Sequence, residues 1–267
     1  MDQQGITEIQ SSSQHKEKCQ IHVYTLGSFQ VIRDGVNLGS KDWGRDKSIQ
    51  LIQFFISNRS RSGLHKDQII DRLWGEASDR DFKVAMHGIN KALEPDRPSR
   101  SEPSYILRNG ISYHLNLDKV WIDIHEAEQF IIAANQCHDN HTDQCIALYR
   151  AAIDLYEGTY LPNRLYEDWS AEERERMQVL FIGAYTDLAS LIIDDHPMEA
   201  IRLMQTALQI DPLWEEAYRI QIQAYINRGN RPMAIKTYDA CVTTLDREYG
   251  IAPLPETMAL IQSVKAL

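Results

Sequence analysis

The sequence predicts two folds in succession, an α+β winged helix-turn-helix and then an all-α, TPR-like helical array. Three observations predict it. A period-two apolar pattern gives way to helical spacing and returns as a hairpin signal before residue 118, strand signals disappear beyond Trp121, and the second half resembles itself at an offset of 34 residues. The expected division is a disordered leader over 1–20, a winged-helix domain over 21–118 and a helical domain over 121–267.

Each element has its own signal. Residues 1–20 are polar, rich in Ser and Gln and without period, which predicts disorder. From Ile21, the residues Val23, Thr25, Phe29 and Val31 alternate with polar neighbours, and Asp34-Gly35 supplies a tight turn before Val36 and Leu38, so a small antiparallel sheet is expected. Ile49, Ile52 and Phe55-Ile56 follow Asp46, a plausible N-cap, and make a first helical stripe. Ile69, Ile70, Leu73 and Trp74 make a second, and Phe82, Ala85, Met86, Ile89 and Leu93 a third at i, i+3, i+4, i+7 and i+11. The stretch from Pro95 to Pro103 breaks the helix, after which two apolar runs flank Asn109-Gly110, a strong hairpin signal. Sheet, three helices and hairpin is the order of a winged helix, whose third helix can enter a major groove while the wing touches backbone.

In the second half Ala200-Ile201 recurs as Ala234-Ile235, and Ala207 as Cys241. Thirty-four residues is the period of the helix-turn-helix TPR unit, where small residues let paired helices approach closely. Asp211-Pro212 and Gly229-Asn230 punctuate the helices, and Ser170-x-x-Glu173 has the form of a capping box.

The bulk properties agree with two soluble domains. The chain has 267 residues and a net charge of −10, and no apolar run approaches the roughly 18 residues that span a bilayer, so no membrane partner and a cytoplasmic location are expected. Four scattered cysteines read as reduced thiols. The acidity is uneven, with +2 over residues 1–120 and −12 over 121–267, so the mean does not exclude a nucleic-acid partner for the first half.

Other chemistry finds little support. Cys137, His138, His141 and Cys145 suit zinc by type, yet their spacing fits no zinc pattern, so no metal and no cofactor are expected. Aromatics from Tyr156 to Tyr238 read as packing rather than as a ligand groove. No phosphate loop, nucleophile elbow or His-Glu-x-x-His motif is present, so no catalytic residue is expected.

Residues along most of the chain, from Leu26 to Leu260, resemble the SARP-type regulators, in which an OmpR-type winged helix precedes a bacterial transcriptional activator domain (BTAD). In the first half the resemblance rests on Leu26-Gly27-x-Phe29-x-Val31 with Asp34-Gly35, Trp43, Lys47, Leu73-Trp74 and Lys91-Ala-Leu-Glu-Pro95. In the second it rests on Leu155 to Pro162, Trp169 with Arg174-Glu-Arg176, Asp211 to Arg219, and Glu248-Tyr-Gly-Ile251 with Pro253 and Pro255-Glu-Thr257. The resemblance implies transcription activation through binding to promoter repeats, usually as a homodimer, with contact to RNA polymerase. One departure stands out: His87-Gly-Ile-Asn-Lys-Ala-Leu93 places Gly88 and Asn90 where the family typically has arginine. Neither replaces a guanidinium in charge, and glycine costs a helix about 1 kcal/mol against alanine unless a close approach requires it.

Helical geometry puts Arg80, Lys83, His87, Asn90 and Lys91 on one side of the third helix, opposite Phe82, Met86 and Ile89, while Asp79 and Asp81 at its start would repel phosphate. With Arg108 at the wing and Lys47 from the resemblance, these are the expected DNA-contacting residues. The competing expectation is a regulator that binds proteins or a small-molecule effector and whose winged helix no longer engages DNA productively.

Overall fold

The computed structural model describes residues 3–61, 63–75, 79–137 and 142–266, and its contacts divide the chain into two compact units. One comprises residues 10–126 together with 157–176; the other comprises 1–9, 127–156 and 177–267. The expected boundary near 118–121 therefore differs from the observed division in two ways, both with a visible cause.

The first is a strand beyond the wing. β1 (Ile21–Tyr24), β2 (Gln30–Arg33) and β3 (Val36–Asn37) form the expected meander, but β7 (Val120–Ile122) completes a four-stranded sheet in the order β3-β2-β1-β7. β7 runs parallel to β1 with Ile21 opposite Val120 and Val23 opposite Ile122. All three β7 residues are buried, so a cut at 118 would strip one edge of this sheet.

The second is the return of residues 157–176 onto the winged helix. Leu161 N–H donates to the Thr25 carbonyl at 2.9 Å, and Gly27 N–H to the Thr159 carbonyl at 3.0 Å. Gly27, at φ +75°, has the Glu157 carbonyl oxygen 2.6 Å from where a Cβ would stand, so this approach needs a residue without one. Tyr160 is 1% exposed and shares a 2.8 Å hydrogen bond with the Ser57 hydroxyl. Arg164 reaches Asp46 at 2.5 Å and Gln53 at 2.9 Å, and the Trp169 ring meets Phe54 edge-on at 5.8 Å. Below them Arg59 pairs with Glu173 at 2.5 Å, their side chains 2% and 9% exposed. Glu173 also accepts from Arg176 at 2.7 and 2.8 Å. Ser170 Oγ donates to the Arg164 and Glu167 carbonyls instead of capping amides, so Ser170 and Glu173 do not form the expected capping box.

The leader also differs from expectation. Residues Gln3–Lys18 form helix α1. His15, Lys16 and Lys18 in its last turn suit the negative end of a helix dipole. Lys16 places its ammonium 3.9 Å from the Trp121 ring centroid, and its carbonyl accepts from His22 Nε2 at 2.7 Å. These tertiary contacts order a segment that has no apolar period of its own.

Helices α2 (Ser40–Trp43), α3 (Asp46–Ser57), α4 (Lys66–Trp74) and α5 (Asp79–Leu93) follow the meander. Asp46 is the first helical residue of α3, with Arg45 in the N-cap position that Asp46 was expected to fill. The wing strands β5 (Ile106–Asn109) and β6 (Ser112–Leu115) pair antiparallel, and the two-residue β4 (Leu64–His65) joins β6 on its other edge. Asn109 pairs with Ser112, so the hairpin loop is Gly110-Ile111, one residue later than expected. Gly110 alone in the loop has positive φ, +62°, as a first central residue that favours glycine requires.

Beyond β7 come α6 (Asp123–Asn135), α7 (Thr142–Ile153) and α8 (Asp168–Ile192); in the other unit α9 (Pro197–Ile210), α10 (Glu215–Asn227) and α11 (Arg231–Tyr249) pack in sequence, α10 against both neighbours. Ala200 and Ala234, one period apart, are both 0% exposed, as are Ala207 and Cys241, which is why small side chains recur at those positions. Glu215 of α10 accepts from Leu254 N–H at 2.7 Å and from the Thr257 hydroxyl at 2.5 Å, and so caps α12 (Pro255–Ala266). Tyr149 of α7 (Thr142–Ile153) donates to Asn135 at 2.5 Å and lies 3.2 Å from Asp187, where burial pushes the Asp187 carboxyl upward. Of the aromatics expected to pack, Tyr160, Tyr185 and Tyr218 are buried whereas Tyr166 is 99% exposed.

Candidate nucleic-acid interface

The candidate interface is built from α4, α5 and the wing. α4 is capped at its start by His65, whose Nδ1 accepts from Asp67 N–H at 3.2 Å, and at its end by Gly75 with φ +67°. α5 buries Phe82, Ala85, Met86, Ile89, Ala92 and Leu93, the stripe that its spacing predicts. Gly88 lies against the α2–α3 corner: a Cβ there would stand 2.2 Å from Ser48 Oγ, 3.0 Å from Ser48 Cβ and 3.0 Å from the Trp43 carbonyl oxygen. The glycine is therefore a packing requirement of this chain, and an arginine at 88 would collide with α3.

On the opposite face Arg80, Lys83, His87 and Lys91 are exposed, and Asn90 is half-buried. The structure thus brings four of the five expected α5 residues to one open surface and holds the fifth partly back. Lys47 has another task. Its ammonium donates to the Leu73 carbonyl and to Gln50 Oε1, each at 2.6 Å, and lies 5.5 Å from the Trp74 ring centroid. It fastens the end of α4 to α3 and positions the helix-turn-helix.

Arg108 is exposed on the wing, but its conformation is set: Nε donates to the Gly110 carbonyl at 2.7 Å, and the guanidinium lies 5.8 Å from the Tyr113 ring centroid. Tyr113 in turn meets Phe82 edge-on at 5.1 Å, so wing and α5 share an aromatic contact.

Sequence reasoning missed Lys66. As the first residue of α4 it donates its backbone N–H to the Ile111 carbonyl of the wing loop at 3.1 Å. Its side chain reaches Asp79 at 2.6 Å, and Lys83 reaches the other Asp79 oxygen at 2.7 Å. The Lys66 hydrogen bond, then that of Lys83, holds the Asp79 carboxyl at about 2. Asp79 is a partner of this face's cations rather than a stray charge.

Of the expected metal-competent cluster, His138 and His141 lie outside the described residues; among the described residues no group of His, Cys, Asp and Glu is arranged to hold a metal ion. No described helix is long and apolar enough to cross a membrane.

The family model of the bacterial transcriptional activator domain matches residues 122–265. No curated protein sequence matches the chain. Among solved structures, Mycobacterium tuberculosis EmbR, in complex with a low affinity phosphopeptide, is similar with a TM-score of 0.74 and 19% identity, over 92% of this chain. The chain spans 65% of the length of that structure, and at this identity the likeness speaks for the fold: strands and helices of a winged helix followed by a helical domain. With more than half of its residues in the matched domain, the chain belongs to the bacterial transcriptional activator domain family.

Proposed function

We propose that this regulator binds promoter DNA directly, with α5 in the major groove and the wing on the backbone, and that it activates transcription from the cytoplasm as a homodimer whose acidic helical unit contacts RNA polymerase. The observation that carries the reading is the exposed stripe of Arg80, His87 and Lys91, with Lys83 on the same face paired to Asp79 and with Arg108 exposed on the adjoining wing. Helical spacing puts these groups along one face about a turn apart, which suits successive phosphates and base edges. Asn90, partly covered, has less reach toward an adenine edge than the sequence suggests. Lys47 contributes by seating α4, and residues 157–176 complete the DNA-binding unit.

Salt dependence of duplex binding tests it. Each phosphate neutralised contributes about 0.9 to the slope of log K against log salt. Replacing Arg80, Lys91 and Arg108 together by alanine should flatten that slope by up to about 2.7 and weaken binding to all sequences alike. A parent protein with no salt-dependent affinity for any duplex would favour the alternative, a regulator working through protein or effector contacts alone.

A further inference from the structure

The Lys66–Asp79–Lys83 cluster joins the three pieces of the candidate interface. Lys66 begins α4 and is tied through its backbone to the wing loop; Asp79 begins α5; Lys83 lies one helical turn further on. Each Asp79 oxygen takes one ammonium, at 2.6 and 2.7 Å, and the side chains remain 30% (Lys66), 44% (Asp79) and 73% (Lys83) exposed. An anion bridging two ammonium groups at the N-terminus of a recognition helix is what a DNA phosphate would be in the same place. Here the anion is the protein's own.

We propose that Asp79 is an internal phosphate surrogate: it occupies Lys66 and Lys83, withholds them from the DNA backbone, and so limits indiscriminate attachment of this face to duplex DNA. This rests on the DNA-binding reading above. The physical case is competitive. A backbone phosphate reaching either lysine must displace a carboxylate already at hydrogen-bond distance and must tolerate that carboxylate's charge beside it. Arg80, His87, Lys91 and Arg108 carry no such tie to Asp79, so the sequence-reading part of the face stays available while two cations that would grip any sequence are held back. Asp79 is a positioning residue in this scheme and touches no base.

The test measures binding of the full chain to a selected duplex and to random duplex across a salt series. Asp79→Asn keeps the side chain's shape and removes its charge. It should steepen the random-duplex slope by about 0.9 to 1.8 and raise random-duplex affinity about tenfold or more at low salt, so that the preference for the selected duplex falls. Adding Lys66→Gln and Lys83→Gln to Asp79→Asn should cancel the gain. Should Asp79→Asn fail to fold by circular dichroism, the double variant Lys66→Gln/Lys83→Gln in the parent decides. Withheld lysines predict a loss of slope below about 0.9, whereas two engaged lysines would lose about 1.8. An unchanged or shallower slope for Asp79→Asn, or the larger loss for the double variant, overturns the surrogate and leaves DNA binding standing. If parent and variants all bind no duplex in a salt-dependent way, the DNA-binding reading falls and the surrogate with it.

Discussion

Gly88→Ala is the substitution on which helix propensity and packing disagree in sign. Propensity alone favours alanine in a helix interior by about 1 kcal/mol. Packing opposes it, because the new Cβ would stand 2.2 Å from Ser48 Oγ and 3.0 Å from both Ser48 Cβ and the Trp43 carbonyl oxygen. Turning the Ser48 hydroxyl relieves only the first of these. Ser48 is 2% exposed, so its Cβ and the Trp43 backbone can move only with the α2–α3 corner. Overpacking of this kind costs about 1–3 kcal/mol, and three simultaneous contacts argue for the upper half, about 2–3 kcal/mol. After the propensity gain the net loss is about 1–2 kcal/mol, or roughly a 5- to 30-fold rise in the unfolding constant. Urea unfolding of the full chain followed by tryptophan emission, to which Trp43 beside the collision contributes, measures it. A double-mutant cycle with Ser48→Gly should recover about 1 kcal/mol or more as coupling, because it removes two of the three contacts. A Gly88→Ala protein that is more stable by the propensity gain, with no coupling to Ser48, would refute the close approach. By the same geometry Gly88→Arg should lose stability without steepening the salt slope of DNA binding.

Other predictions follow from buried groups. Glu173→Ala leaves the Arg59 guanidinium buried without its carboxylate and should cost about 3–5 kcal/mol, whereas Arg59→Met/Glu173→Leu should stay near the parent; equal denaturation midpoints for parent and Glu173→Ala would contradict the pair's role. Cys241 is 0% exposed and burial pushes its thiol up to about 12, so at pH 8 it should resist a thiol reagent until urea unfolds the helical unit; labelling of Cys241 in native protein at the unfolded rate would contradict this. Asp79, held at about 2 against an ordinary 3.8, contributes stability that is fully present above the ordinary value and is lost as pH falls through 2. A carboxyl titration by NMR should give that low midpoint in the parent and an ordinary one in Lys66→Gln/Lys83→Gln.

Much of the fold was legible where the chemistry is local. Ile21, Val23, Val31 and Leu38 of the first sheet, the Phe82-to-Leu93 stripe and the small residues at Ala200, Ala207, Ala234 and Cys241 each state their own burial, and the structure buries them accordingly, whereas Val36 of the same alternation is 64% exposed. What stayed hidden depends on partners far along the chain. β7 is three residues long and is held by parallel pairing with β1, about a hundred residues away, which no local period reports. Glu173 reads as the end of a capping box because Ser170 precedes it by three, yet Arg59, 114 residues earlier, claims it. α1 has no apolar stripe and is placed by Lys16 on Trp121. At the candidate interface the exposed cations could be read from helical spacing. The grip of Asp79 on Lys66 could not, because it joins the first residues of two different helices. The signal available in retrospect was Gly88: a helix-interior glycine on a stripe of buried residues marks close approach, and its identity says that position 88 faces protein.

The most direct measurement of whether this face reads DNA is selection of bound sequences from random duplex at physiological salt, run in parallel with the parent and with Arg80→Ala/Lys91→Ala/Arg108→Ala. If α5 and the wing read DNA, the parent enriches a defined sequence, repeated if the protein binds as a dimer, and the triple variant enriches none. Absence of any enriched sequence with the intact parent, or the same enrichment by parent and variant, would contradict that reading.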